Sequence, residues 1–150
     1  MARPSHPPSE PARLGKQPPR YRFFLNPYLD ARFTTCPQCS GKTRVRKLPL
    51  VIHIDPLQLI ALNKTCRYCP RCDLLIAHQD EIEAFLAAFF GQNRPEIVGN
   101  DYLVVGTEDR SDWLRGMRTS LSIEEALDCL HDFLAVVSFQ PAPRSGWGPA

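Results

Sequence analysis

The 150-residue sequence predicts an α+β fold organised around two pairs of cysteines. In the first pair, Cys36 and Cys39 enclose a proline and a glutamine, and in the second pair, Cys69 and Cys72 enclose a proline and an arginine. A run of β-branched and apolar residues at 50–54 lies between the pairs and predicts a strand. Apolar residues at helical spacing follow the second pair, which predicts helices that pack against the strands.

Proline marks the two ends of the chain as poorly structured. Six of the 15 prolines fall within residues 1–20, where few apolar side chains are available for burial, so we predict a disordered N-terminal tail. Residues 141–150 have a similar composition and predict a flexible C-terminal tail. We predict two ordered units between the tails. The first, at 21–92, bears the cysteines and a helix, and the second, at 93–140, is a small strand-helix-strand unit packed on the first.

The strands are predicted from side-chain type and alternation. The aromatic-rich residues 21–33 are expected to pack over a small core. Residues 42–47 predict a strand in which Lys42, Arg44 and Arg46 share one face, because side chains two positions apart point the same way. The other predicted strands are residues 50–54, 64–68, 74–77, 102–106 and 135–139. The last of them is expected to pair with 102–105, and an extension of the preceding helix is the alternative.

Helices are predicted where a capping residue precedes apolar periodicity. Asp80 and Ser122 are each followed three residues later by glutamate, which predicts a capping box at the start of two helices. Residues 109–117 predict a turn or a short helical piece. Asp55 followed by Pro56 suits the start of one further helical turn, and a wide hairpin loop is the alternative interpretation.

The four paired cysteines have the spacing of a structural zinc site. Two intervening residues allow both sulfurs of a pair to reach one ion, and two such pairs complete the tetrahedral shell of four thiolates that zinc takes. We therefore predict one zinc ion bound by Cys36, Cys39, Cys69 and Cys72. Cys66 offers an alternative pair with Cys69, although only the pair of Cys69 and Cys72 contains the proline that favours the turn.

No catalytic arrangement is recognisable in the sequence, so we predict that the protein is not an enzyme. Neither a Ser/His/Asp pattern nor a glycine-rich phosphate loop is present. A shell of four protein ligands also leaves zinc no open position for a substrate. Cys129 is expected in the core, whereas the roles of His53 and His78, as structural residues, ligands or bases, stay open.

Charge is distributed unevenly along the chain. Residues 1–50 hold ten Lys or Arg and two Asp or Glu, a balance of +8, whereas residues 51–150 hold eight and fourteen, a balance of −6. A basic front half predicts contact with nucleic acid or an acidic protein, and attraction between the two halves is the alternative explanation. The candidate residues for contact with phosphates are Lys42, Arg44, Arg46 and Lys47.

The sequence contains no apolar run long enough to span a membrane and no apolar core of a secretory signal. We therefore predict a cytoplasmic protein without membrane contact. Thiols stay reduced in that compartment, where clustered cysteines favour a metal over disulfides.

The segment from Cys36 to about Glu83 resembles the zinc-binding half of the MqsA-type (YgiT-type) bacterial antitoxins. In that family two Cys-x-x-Cys pairs about thirty residues apart flank a β-hairpin and bind structural zinc, which the resemblance implies here for a zinc ribbon. The other half of those antitoxins is a helix-turn-helix domain, whereas this sequence predicts strand, turn, helix and strand after Gly91. Residues 23–69 also resemble a group of uncharacterised bacterial zinc-ribbon proteins.

Binding is the function class that remains. We predict a non-catalytic zinc-ribbon module that binds a protein partner, with aromatic residues near the N-terminus and an acidic C-terminal half supplying the surface. The alternative is a nucleic-acid-binding or transcription-associated zinc-ribbon protein that uses the basic strand at 42–47.

Overall fold

The computed structural model describes residues 13–118 and 122–141. Of the predicted tails at 1–20 and 141–150, residues 1–12 and 142–150 lie outside the described residues. The described residues confirm the α+β class, since they form three α-helices and one mixed sheet of seven strands in the order β6-β5-β2-β3-β4-β1-β7. The strands are β1 (Arg22–Asn26), β2 (Arg44–Ile54), β3 (Gln58–Cys69), β4 (Leu74–His78), β5 (Tyr102–Thr107), β6 (His131–Asp132) and β7 (Ala135–Val136), and the helices are α1 (Gln79–Gly91), α2 (Arg110–Arg118) and α3 (Ile123–Cys129).

The long antiparallel hairpin of β2 and β3 forms the centre of the sheet. Its pairing starts at Ile54 opposite Gln58, so only residues 55–57 make the turn. The predicted helical turn after Asp55 is therefore wrong, and the two strands are joined by a three-residue turn that is tighter than the wide hairpin loop of the alternative interpretation. From Gln58 onward the backbone groups form hydrogen bonds with β2 and are not available for a helix. The same pairing buries apolar side chains of both strands. The two strands predicted at 42–47 and 50–54 are one continuous strand that starts at Arg44.

The two faces of the sheet bury separate apolar clusters, because successive side chains of a strand point to opposite faces. The first cluster includes Phe23 and Leu75, and Ile82 of α1 belongs to it. The second cluster includes the next residues along the same strands, Phe24 and Ile76. The cysteines of the second cluster are Cys36 and Cys69, with Cys39 and Cys72 packed against it.

The C-terminal part of the chain joins the same sheet at both of its edges. β5 pairs with β2, and β6 pairs with β5, so the strands of the two predicted units are continuous in one sheet. The apolar periodicity after Ser122 predicts a helix whose apolar face extends to Leu134, but the helix ends at Cys129, after which Leu130 is extended. The short strand β7 pairs in parallel with β1, so the predicted pairing of 135–139 with 102–105 is wrong. The ring of Phe133, which lies between β6 and β7, stacks on the ring of Phe23 in β1 and holds the chain after β6 against β1.

A glycine makes the contact between β5 and β6 possible. Gly106 lies opposite Asp132, and a Cβ atom at position 106 would collide with the carbonyl oxygen of His131. Only glycine, which has no Cβ, permits so close an approach of two backbones.

One of the two predicted capping boxes is present in the structure. Ser122 Oγ accepts from the Glu125 amide at 3.1 Å, and the Glu125 carboxylate accepts from the Ser122 amide at 2.9 Å, which confirms the box at α3. The box predicted at Asp80 is wrong, because α1 begins after His78, whose side chain makes no capping bond. The Asp80 carboxylate instead forms a bidentate ion pair with Arg32, at 2.9 and 3.0 Å.

Residues 13–20 differ from the predicted tail, because they are bonded to the end of the sheet. The amides of Leu14 and Gly15 donate to the two carboxylate oxygens of Asp132, at 3.1 and 2.8 Å. Gln17 forms a bridge to His131, which extends the sheet beyond β6 by one contact. In the described part of the chain, no helix is both long enough and apolar enough to cross a membrane.

A buried carboxyl group predicts a pH dependence of stability. Burial and the nearby carboxylates of Asp112 and Asp109 raise the pKa of Glu108 to about 7, against a smaller opposing effect of Arg115. The folded state therefore prefers the neutral carboxyl group, and this contribution is lost as the pH rises from about 4.5 to about 7. As the pH rises from 5 to 8, the wild type should lose about 1–2 kcal/mol of unfolding free energy, with allowance for screening by solvent. Glu108→Gln lacks the titrating group and should not show this loss.

Urea unfolding of both proteins at fixed zinc concentration measures this difference, because any metal contribution is common to the two. Glu124→Gln on the exposed side of α3 is the control and should show no such trend. A difference between Glu108→Gln and the wild type that does not change with pH would contradict the assignment.

Candidate metal centre

The four predicted cysteines form one cluster. Their Sγ atoms all lie within 4.8 Å of one another. Cys36 Sγ is 3.9 Å from Cys72 Sγ, and Cys39 Sγ is 3.6 Å from Cys69 Sγ. These separations exceed the S–S bond of a disulfide, about 2.05 Å. Sulfurs bound at about 2.3 Å around a tetrahedral ion lie about 3.8 Å apart, so the spacing is compatible with a single metal ion at the centre of the cluster.

Two loops at one end of the sheet bring the cysteines together. The first pair lies in the segment that joins β1 to β2, closed by a bridge between Thr35 and Lys42. The second pair lies at the turn that joins β3 to β4, where Cys69 is the last residue of β3 and pairs with Leu74. Because β3 is the return strand of the central hairpin, it brings the second pair back to the end of the sheet at which β2 starts, beside the first pair.

The backbone of each loop is shaped around its sulfurs. The amides of Gln38 and Gly41 point at Cys36 Sγ and Cys39 Sγ, at 3.3 and 3.4 Å, where they stabilise negative charge on sulfur. The residues that follow each pair, Ser40 and Asp73, both have left-handed φ angles, 65° and 53°. The two loops therefore make the same reversal of direction immediately after their second cysteine. Asp73 is further held by the Tyr68 hydroxyl, which donates to it at 2.7 Å.

The thiols of the cluster differ in their ease of ionisation. The amide of Gly41 lowers the pKa of Cys39 to about 7, whereas burial raises the pKa of Cys36 above its usual value. Burial, followed by the neighbouring thiols, raises the pKa of Cys72 to about 12. Four thiolates this close repel one another, and a divalent cation bound among them offsets that repulsion, which links metal binding to deprotonation of the thiols.

Cys66 lies outside the cluster, on the opposite face of the sheet. It is three positions before Cys69 in β3, so the two side chains point to different faces, and Cys66 belongs to the first apolar cluster. Its Sγ atom lies 3.6 Å from the carbonyl oxygen of Lys64, and burial raises the pKa of its thiol to about 12. The alternative pair of Cys66 with Cys69 is therefore not the one that the fold brings together.

This position predicts that Cys66→Ala keeps the metal. We expect one metal ion per chain, as in the wild type, and a loss of about 1 kcal/mol in unfolding free energy from the small cavity left in the first cluster. Elemental analysis of the purified variant measures the metal content, and urea unfolding measures the stability. A folded Cys66→Ala variant without metal would show that the assignment of the four sulfurs is wrong.

The two histidines whose roles were open lie away from the four cysteines. His53 is near the far end of β2, where its Nδ1 atom lies 3.9 Å from the Asp55 carboxylate. His78 ends β4, and its Nδ1 atom lies 3.0 Å from the side-chain nitrogen of Asn26. Burial, and then the nearby Arg32, lower the pKa of His78, which favours a neutral ring that accepts this bond. Each histidine therefore has a polar neighbour other than the four cysteines.

Cys129 is buried, as predicted, at the end of α3. The guanidinium of Arg115 donates to its Sγ atom at 3.2 Å, while burial raises the pKa of its thiol.

The four basic residues of the predicted nucleic-acid surface have different surroundings. Lys42, Arg44, Arg46 and Lys47 are all exposed at the end of the sheet that carries the cysteines. The guanidinium of Arg46 lies 4.2 Å from the centre of the Tyr68 ring and donates to the Tyr21 hydroxyl at 3.1 Å. Arg46 therefore packs against the protein itself. Arg44 shares its face of β2, whereas Lys47 points to the other face.

A further set of side chains, beside α1, was not predicted as a site. The Tyr102 hydroxyl donates to the Glu83 carboxylate at 2.9 Å, across a groove between α1 and the residues that precede β5. Glu83 is the glutamate of the capping box predicted at Asp80, Tyr102 belongs to no motif, and nineteen positions separate the two residues. Only the pairing of β5 with β2 brings them together, so no local pattern in the sequence signals this contact.

Comparison of the chain with protein-family models, with curated proteins and with solved structures gave no match. The resemblance of the cysteine motifs to the antitoxin zinc-binding half and to bacterial zinc-ribbon proteins stays a prediction.

Proposed function

We propose that the chain is a zinc-ribbon protein with one structural zinc ion bound by Cys36, Cys39, Cys69 and Cys72. The sulfur cluster carries this proposal, since four cysteine sulfurs at tetrahedral spacing are the ligand set typical of structural zinc. All four positions of the ion are then taken by protein, so the ion holds two loops of the sheet together and presents no site for a substrate. The zinc-free chain would lack that link between the β1–β2 and β3–β4 loops.

We further propose that the module binds a protein partner and is not an enzyme. The support is an exposed aromatic pair on α1. Phe85 and Phe89 stack with their ring centres 5.8 Å apart, and they are 39% and 50% exposed. Two large rings held in one orientation offer apolar contact area at low cost in conformational entropy, which is a property of residues at the centre of protein interfaces. A cytoplasmic location is part of the same proposal, because reduced thiols persist there.

Capture from an extract of the source cells tests the protein-binding proposal. The immobilised zinc-loaded chain, with and without nuclease, should retain protein that resists nuclease treatment. The double variant Phe85→Ser and Phe89→Ser should lose that protein. Ile123→Ser, which changes an equally exposed apolar residue on α3, should keep it. Identical capture by the double variant and the wild type, or no capture at all, would contradict the proposal.

Nucleic-acid binding is the second candidate, and the free basic residues favour it. Lys42, Arg44 and Lys47 are exposed, and none of them forms a salt bridge within the described residues. Three phosphate contacts predict a slope of about −2 for the logarithm of the binding constant against the logarithm of salt concentration on single strands. Arg46 is unlike the other three, because its guanidinium is already engaged by two tyrosines.

Filter binding of single-stranded RNA at several salt concentrations tests this second candidate. The variant Arg44→Ala with Lys47→Ala should reduce both the affinity and the salt slope, whereas Lys16→Ala near α3 should change neither. Retention that does not respond to these substitutions, or none at low salt, would remove nucleic acid from consideration.

A further inference from the structure

A groove of about 440 Å³ runs along one side of α1, a volume within the range of ligand-binding clefts. Its helix wall consists of Glu83, Leu86, Ala87 and Phe90, which recur at the three- and four-residue spacing of one helix side. The facing wall is the segment from Ile97 to Tyr102. Three of the lining residues, Ile54, Phe90 and Ile97, are buried apolar side chains, and they form the apolar floor of the groove. Phe85 and Phe89 are not among the residues that line the groove.

A carboxylate with unused bonding capacity stands at the rim of this groove. Glu83 Oε2 accepts from the Tyr102 hydroxyl at 2.9 Å and from Gln79 Nε2 at 2.8 Å, and Oε1 accepts no hydrogen bond within the described residues. Burial, and then the bond to Glu83, raise the pKa of Tyr102, so its hydroxyl stays a donor at neutral pH. Among the described side chains, no cation forms a salt bridge with Glu83 or with Asp101, the second carboxylate that lines the groove.

The wall opposite the helix is held in place by the central hairpin. Asn100 Nδ2 donates to the carbonyl of Asp55 at 2.9 Å, and the amide of Asp55 donates to the carbonyl of Asp101 at 2.9 Å. Gly99 has a left-handed φ of 92°, which lets the chain reverse at the mouth of the groove. Because these bonds fix the wall before anything binds, a ligand would lose little free energy to ordering it.

We propose that this groove binds a segment of a partner protein in which a lysine or arginine lies within a few residues of a leucine or phenylalanine. The apolar side chain would occupy the floor, and the cation would pair with Glu83 Oε1 and Asp101. Charge decides between classes of ligand, because two uncompensated carboxylates repel phosphate and attract a basic group. The inference rests on the proposed protein-binding function and names the chemistry of the partner segment.

Selection from a library of random twelve-residue peptides displayed on phage tests the proposal directly. Panning against the full zinc-loaded chain should enrich peptides that combine a basic residue with a nearby large apolar residue. A synthetic peptide with the enriched sequence should bind the wild type measurably in calorimetry. Glu83→Gln should weaken that binding about 5–10-fold, a typical effect of losing one charge-assisted bond. Ala87→Arg, which adds bulk and positive charge inside the groove, should weaken it at least tenfold.

Two matched controls separate the groove from general effects of substitution. Ala88→Arg changes the neighbouring exposed alanine, which does not line the groove, and should bind as the wild type does. Glu124→Gln removes a carboxylate on α3 and should also have no effect. No enrichment, enrichment of acidic peptides, or equal loss of binding in Ala87→Arg and Ala88→Arg would each overturn the proposal.

The same peptides distinguish failure of the groove from failure of the proposed function. If they bind the wild type but lose affinity only in the variant Phe85→Ser with Phe89→Ser, the protein-binding function stands and the groove is not its site. If extract proteins are not captured at all, the protein-binding function itself fails, whatever the peptides show.

Discussion

Replacing Cys69 with serine is expected to release the metal and unfold the chain. Cys69 is buried at the end of β3, belongs to the second apolar cluster and supplies one of four clustered sulfurs. Structural zinc contributes about 10–16 kcal/mol in zinc-finger peptides. That contribution is as large as the whole unfolding free energy of a typical domain, about 5–15 kcal/mol. A shell with three sulfurs binds zinc much more weakly, so the loss should exceed that from any apolar substitution.

Elemental analysis and far-ultraviolet circular dichroism of Cys69→Ser measure this outcome together. We expect no retained zinc and a spectrum with little of the strand signal of the wild type. Cys129→Ser is the matched control, since Cys129 is also buried but lies outside the cluster, and this variant should keep one zinc ion. A folded Cys69→Ser protein with one zinc ion per chain would contradict the role given to this residue.

Replacing Phe23 with alanine is expected to cost about 3–5 kcal/mol in unfolding free energy. The Phe23 ring is 2% exposed and lies parallel to the ring of Phe133, with centres 4.3 Å apart and planes at 3°. The substitution removes contacts in the first apolar cluster and also those that hold the chain after α3 against β1. Aromatic pairs add about 0.5–1.5 kcal/mol beyond the area that they bury.

Urea unfolding at a fixed excess of zinc measures this loss, because bound zinc stabilises the wild type and the variant alike. Phe89→Ala is the control, since half of that ring is already in water, and we expect it to cost less than about 1 kcal/mol. Equal losses in the two variants would show that the Phe23 contact is not a main element of the core.

The parts of the fold that were predicted correctly depend on local pattern. The β-branched residues at 50–54, the apolar residues before Gly91 and the pair Ser122 and Glu125 each determine their element within a few positions of chain. Each of these elements is present in the structure.

The errors concern contacts between distant parts of the chain. Asp80 has the residue type of a helix cap, but Arg32, 48 positions earlier, takes its carboxylate. Asp55 and Pro56 suit a helix start, but pairing with β2 uses the backbone that follows them. The partner strand of β7 was also predicted wrongly. Phe133 stacks on Phe23 of β1, and this contact places β7 beside β1 and not beside β5.

The candidate metal centre was predictable because two short sequence motifs contain all four of its cysteines. Proline after the first cysteine distinguishes the true second pair from Cys66, and strand alternation then places Cys66 on the other face. The groove beside α1 was not predictable. Its lining residues come from β2, from α1 and from the segment between Ile97 and Tyr102, and only the tertiary fold brings them together.

X-ray absorption at the zinc edge of the purified, reduced protein tests the central claim most directly. It reports the kind, number and distance of the atoms bound to the metal. The four clustered cysteines predict one zinc ion per chain with four sulfur neighbours at about 2.3 Å and no nitrogen or oxygen ligand. A shell that contains nitrogen or oxygen, or protein that is folded without any zinc, would contradict the account.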